Sequence, residues 1–180
     1  MATSFGGAVK LTGESEYRKA LKNITQNLKE VTSEMKLVTA QYGKNDTSIE
    51  ALSAKSKVLN ERLNTQREKV SLLKKQYEAM VAQYEKNTAK NEALAKKYDE
   101  EKKKLADLEK TLGTTSDEYK EQAEKVADLS EQLKKSEANQ EANTKALSDM
   151  RIQLNNAEGD VAKTSREVNG LAKQMDEGAN

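Results

Sequence analysis

The chain lacks cysteine, proline, tryptophan and histidine altogether and has a single phenylalanine among its 180 residues. Without cysteine there is neither a disulfide framework nor a thiolate nucleophile, and without histidine the commonest general base is missing too. The soft metal ligands go with them. These absences point away from an enzyme, and no cofactor, metal or small-molecule substrate is expected. Asp and Glu are abundant, but they fall on outer positions of helical sequence, with no concave pocket to work in. No apolar run approaches the ~20 residues that span a bilayer. The opening Met1-Ala2-Thr3-Ser4-Phe5-Gly6-Gly7 has no basic start and no apolar middle of a signal peptide, and Ala2 does not fit a myristoylation site. The 31 basic and 30 acidic residues leave a net charge of +1, which gives no footprint for nucleic acid. No helical face reads as conspicuously basic, so a membrane surface is not expected as a partner either.

Missing proline also means that nothing strongly breaks a helix, since an internal proline costs roughly 3 kcal/mol. Only 35% of residues are hydrophobic and 34% are charged. With periodicity such a composition reads as coiled coil, and without it as disorder. Periodicity is present. With Leu21 as position a, apolar residues recur every seven: Leu21, Leu28, Met35, Tyr42, Ile49, Leu63, Val70, Tyr77, Tyr84, Tyr98, Leu105, Leu112, Tyr119, Val126, Leu133, Leu147, Leu154, Val161, Val168 and Met175. Position d runs in step from Tyr17 to Leu171. All six tyrosines lie on these two lines. A stripe this narrow is the seam of a coiled coil, and a strict seven-residue period implies left-handed supercoiling. A lone helix would be poorly stable in water, so the seam needs a partner. That partner is another copy, in a homo-oligomer, or another stretch of the same chain.

Polar residues interrupt the a line at Ser56, Asn91 and Gln140 and the d line at Asn45, Gln66, Asn87, Glu101, Thr115, Gln122, Ser136, Asn143 and Thr164; Asn87, Asn91, Glu101, Gln140 and Asn143 stand out among them. Such residues at a or d cost stability but can select one alignment, or mark places where the assembly comes apart. The bland alternative is that a long seam simply tolerates them. Asp99-Glu100-Glu101 followed by Lys102-Lys103-Lys104 reads as a solvated charged face with i,i+4 pairs.

Two stretches break good helical sequence, Gly43 to Ser48 and Gly113 to Asp117. Both begin with glycine, favoured just past a helix end. Thr47 with Glu50, and Thr115 with Glu118, fit the capping-box spacing for a restart. The glycines lie 70 residues apart, ten heptads, as in a weak internal repeat of architecture. The expected fold is therefore all-α: a long coiled coil of extended helices in three segments, 17–42, 49–112 and 119–175. An N-terminal arm or short strand (1–16) precedes them, and a tail (176–180) follows. The alternative is an antiparallel three-helix bundle. The heptad frame crosses both breaks without a phase change, which a rod demands and a hairpin does not. The unequal segment lengths would also leave unpaired seam in a bundle. An unbroken rod over 17–175 would extend ~240 Å at ~1.5 Å per residue.

Two phrases resemble a known family. Tyr17-Arg18-Lys19-Ala20-Leu21-Lys22, leading into Leu28-Lys29-Glu30-Val31-Thr32-Ser33-Glu34-Met35-Lys36-Leu37-Val38, is similar to the N-terminal region of tail tape measure proteins of long-tailed bacteriophages. So is Leu112-Gly113-Thr114-Thr115-Ser116-Asp117-Glu118-Tyr119-Lys120. The resemblance implies a molecular ruler that sets tail length as tube subunits polymerise around several copies. It implies tail tube and tail assembly chaperone proteins as partners. It places the protein in the host cytoplasm during assembly and then in the tail lumen of the virion. Members of that family are usually much longer and carry hydrophobic segments further along, so the chain reads as an N-terminal coiled-coil fragment. Without the resemblance, the sequence suits a cytoplasmic coiled-coil adaptor or a monomeric helical-bundle effector.

Overall fold

A computed structural model describes residues 13–178. The chain is all-α. Three helices follow in order: α1 (Glu14–Tyr42), α2 (Ile49–Leu112) and α3 (Asp117–Gly178). No strand occurs among the described residues. Residues 1–12, most of the expected N-terminal arm, lie outside them, while Glu14 to Glu16 already belong to α1 and α3 runs on through Gly178.

The helices stop and restart at the two glycine breaks. Gly43 and Gly113 hold positive φ, +81° and +78°, a region where a side chain would clash with the backbone. Each donates its N–H to the carbonyl four residues back, Gly43 to Thr39 at 2.9 Å and Gly113 to Glu109 at 3.2 Å, closing the preceding helix. The restart differs from the capping-box expectation by one residue. The hydroxyl of Ser48, not Thr47, accepts from the N–H of Ala51 at 3.3 Å. Likewise Ser116, not Thr115, accepts from Tyr119 N–H at 3.2 Å. Ser48 is itself set by Asp46, whose carboxylate accepts the Ser48 N–H at 2.8 Å. That backbone hydrogen bond, aided by the Ser48 hydroxyl and the Lys55 ammonium, holds the Asp46 carboxyl below its usual range. Lys55 also reaches back from α2 to donate to the carbonyls of Lys44 (3.3 Å) and Asp46 (2.9 Å), tying the connection to the helix it starts.

The chain divides into two compact units. One consists of Thr12–Glu78 with Asp149–Asn180, so its described part holds α1, the start of α2 and the end of α3. A Cβ built on Gly178 would lie 3.6 Å from Ile49 Cδ1, so the last turn of α3 meets the first of α2. Tyr17 at the start of α1 donates its hydroxyl to Met150 Sδ at 3.9 Å. The end of α1 is joined by six residues to Ile49. Helix α1 therefore runs parallel to this part of α3 and antiparallel to α2, and the unit is a three-helix bundle. Its core holds Ile24, Val31, Leu52, Leu59, Leu63, Leu73, Met150 and Ala157, all but Leu63 at d, with Ala51 and Val58 beside them. Ala51 and Val58 occupy position c. Farther along α2 the same position carries Thr65 and Leu72, both half-buried. Here α2 buries a broad face, because it has two neighbours instead of one. Lys55, Arg62 and Lys69 at g lie between those rows and are half-buried, stems covered and charges outward.

The other unit holds Ala79–Ser148: the end of α2, the four-residue connection, and the start of α3. It is a helical hairpin. Partners across it run in opposite directions: Gln122 with Glu101, Ser136 with Asn91, Gln140 with Thr88, Thr144 with Tyr84. Its position-c residues (Ala79, Lys86, Ala93, Glu100, Asp107) are all exposed, as befits a helix with one partner. Buried residues are few here: Met80, Leu129, Glu101 and Asn143.

The structure thus takes the folded-back alternative in place of the extended rod. Unbroken phase across the glycines does not decide between them, because a hairpin is indifferent to it. Unequal lengths do not forbid folding back either. Helices α2 and α3 have 64 and 62 residues and match each other, and only the 29-residue α1 is short.

Candidate functional site

The residues read as an oligomer seam line the boundary between helices of one chain. Line d is the deep one, and line a flanks it. Of the twenty apolar a residues singled out, Leu63 is buried, Ile49 and Leu112 are exposed, and the rest are half-buried. A side chain on the a line therefore keeps one flank open, whereas d points straight at the neighbouring helix.

The five polar seam residues singled out fall in the hairpin unit, and the fold gathers four of them into cross-helix contacts or buries them; Gln66 and Thr164, polar d residues of the other unit, are buried there, and Gln66 Oε1 has no partner. The most developed contact surrounds Glu101, at d on α2. Its Oε2 accepts from Gln122 Nε2 on α3 at 2.7 Å, and its Oε1 accepts from Lys104 Nζ at 2.7 Å. Lys125 Nζ stands 3.6 Å from Oε2. Gln122 Nε2 also donates to the Glu101 backbone carbonyl at 2.9 Å. Lys104 and Gln122 together hold the Glu101 carboxyl down at about 2, so it stays ionised well into acid. Lys104 is raised in turn by Glu101. A carboxylate fixed in this way is a poor proton donor or acceptor at neutral pH. What it can do is lock one alignment of α2 against α3. Gln122 was legible as a polar d residue, but its pairing with Glu101 depends on the hairpin register.

Farther from the connection, Asn91 and Ser136 exchange hydrogen bonds. Asn91 Nδ2 donates to the Ser136 carbonyl at 3.3 Å, and the Ser136 hydroxyl donates to Asn91 Oδ1. Gln140 Nε2 donates to the Thr88 hydroxyl, which itself donates to the Tyr84 carbonyl at 3.0 Å. Asn87 is bound within its own helix, accepting from Gln83 Nε2 at 2.9 Å. Thr144 and Tyr84 touch through their hydroxyls at 3.5 Å. Asn143 differs: it is 1% exposed, and neither its Oδ1 nor its Nδ2 has a partner. Gln140 Oε1 is likewise buried without a partner. An unpaired buried amide costs about 1–3 kcal/mol. The seam of the hairpin is therefore well specified near Glu101 and weakened near Asn143.

Side-chain ions elsewhere are sparse among the described residues. Arg18–Glu14, Lys120–Asp117 (3.4 Å) and Lys135–Glu131 (2.6 Å) are local pairs within one helix. No described helix is long and apolar enough to cross a membrane. No family model, no curated protein and no solved structure matches the chain.

Proposed function

We propose that the chain is a structural scaffold, a tape-measure-like ruler of phage tail assembly, rather than an enzyme. The observation that carries the proposal is the pair of long, length-matched helices, α2 and α3, joined by a four-residue connection that starts at Gly113 and laced by polar seam residues. A ruler needs a fixed rise per residue, and the α-helix supplies ~1.5 Å. It also needs helices that can be parted when the tube is threaded. The buried unpaired amide of Asn143 and the hydrogen-bonded pairs of the hairpin lower the cost of parting, because water can replace each bond. In this proposal the folded chain is the form held before assembly in the host cytoplasm, kept by tail chaperones. Several copies then run together within the tail tube.

The test is length. Inserting two heptads into α2 and two into α3 adds 28 residues, and at ~1.5 Å per residue the tail should lengthen by ~40 Å in electron micrographs. Unchanged tail length rules the ruler out. A second possibility, a self-contained helical-bundle effector, draws on the pairing of α2 with α3 inside one chain. It gives no dependence of any assembly on helix length.

A further inference from the structure

Helix α1 carries a face that the balanced net charge conceals. Positions e, b and f adjoin one another on a helix; b and f point away from the seam, and e borders it. From Arg18 to Ala40 these positions hold Arg18, Lys19, Lys22, Lys29 and Lys36 and not one acid. The expectation that no helical face is conspicuously basic does not hold here. Lys22, Lys29 and Lys36 form a row at seven-residue spacing, every member exposed. Thr25 and Thr32 lie beside it, each donating its hydroxyl to the carbonyl four residues back, Leu21 and Leu28, at 2.7 Å. Shallow grooves run along this face, one of them lined by Thr25, Leu28, Lys29, Thr32, Ser33 and Lys36.

Helix α2 carries the complement on the same three positions. From Glu78 to Ala95 they hold Glu78, Glu85 and Glu92 at b, with Val81, Ala82, Thr88, Ala89 and Ala95 around them, and not one cation. The three glutamates are exposed. Ala82 and Ala89, exposed between the glutamates, let another helix approach closely. Neither row makes an ion pair among the described residues. Each row spans fourteen residues, about 21 Å, with charges about 10.5 Å apart. That spacing matches a second helix of the same heptad period.

We propose that these rows are the two halves of a contact between copies of this chain, the lysine row of α1 in one copy lying against the glutamate row of α2 in the next. This deepens the homo-oligomer part of the proposed function and rests on it. The two surfaces are different, so the contact is heterologous. Each contact leaves one row of either kind free, so the assembly extends into a line or closes into a ring. Its strength is set by salt, because both rows are open to solvent.

The experiment uses the full chain in light scattering. At about 0.01 M salt, where the Debye length is ~30 Å, the mean mass should be at least about twice that at about 1 M, where it is ~3 Å. Lys22→Glu, Lys29→Glu and Lys36→Glu together should abolish the low-salt association. So should Glu78→Lys, Glu85→Lys and Glu92→Lys together. Mixing those two variants should restore it, and one chain carrying all six changes should associate like the wild type. Circular dichroism of each variant reports folding, and the six-fold variant is the control for loss of fold. Failure of the mixture and of the six-fold chain to associate overturns the charge-row contact. A large oligomer that persists unchanged in about 1 M salt and in both triple variants also overturns it, while leaving the homo-oligomer intact. A monomer under every condition removes both.

Discussion

The three-helix unit and the hairpin unit use the same two helices and the same heptad frame, yet they are held together differently. Where α1 is present, α2 meets two neighbours, and its c line turns apolar to serve the second: Ala51, Val58 and Leu72. In Ala79–Ser148 there is one neighbour, the c line is exposed, and buried side chains become few. Hydrogen-bonded polar pairs replace much of the missing apolar contact. The number of neighbours, and not the heptad repeat, decides how wide a face each stretch must make apolar. The first unit gains stability from burial. The second gains alignment from polar pairs at some cost in stability.

The comparison is most severely tested in the core. Leu73 is fully buried, and Leu73→Ala should cost about 2–5 kcal/mol in urea unfolding, whereas Leu105→Ala, on the half-buried a line of the hairpin, should cost less than about 2 kcal/mol. Equal losses would erase the distinction between the deep core of the first unit and the flanking line of the hairpin. Next comes Asn143→Leu, which removes two unpaired polar atoms from a buried d position and should stabilise the hairpin by about 1–3 kcal/mol, read as slower amide exchange within Ala79–Ser148. A destabilised variant would mean that the amide has partners there after all. The caps follow at about 1 kcal/mol each. Ser48→Ala and Ser116→Ala should lower the thermal midpoint, while Thr47→Ala and Thr115→Ala leave it nearly unchanged.

The smallest effect is acid-dependent. Glu101 is held at about 2, below its usual 4.5, so the stability it lends is complete above the unfolded value and fades as pH falls from 4.5 toward 2. Across that window the hairpin of the wild type should lose more stability than Glu101→Gln, measured by circular dichroism in urea at each pH. Identical acid profiles would remove Glu101 from the account.

Much of the fold was legible before the structure. Gly43 and Gly113 mark the breaks because positive φ there excludes most other residues. The a and d lines name the core of every helix. The partner was not legible from them, since a seam that meets another copy and a seam that meets its own chain share one frame. Two signals did carry it: large apolar c residues, Val58 and Leu72, confined to the first part of α2, and matched lengths for α2 and α3. The restarts were misplaced by one residue because Thr47–Glu50 and Thr115–Glu118 satisfy the spacing rule, while the neighbouring serine takes the bond. The polar seam residues were found one by one. Their pairing was not, because Asn91 with Ser136 and Glu101 with Gln122 exist only in one antiparallel alignment.

The central claim, that the chain hides its stripe against itself, is open to a direct check because it has no native cysteine. Asn91→Cys with Ser136→Cys, oxidised in dilute solution, should form a disulfide within one chain and run as a monomer on a non-reducing gel. Asn91→Cys alone should stay unlinked. A dimer from the single variant, with no link within the chain in the double one, would mean that copies lie side by side in parallel and that the folded-back arrangement is wrong.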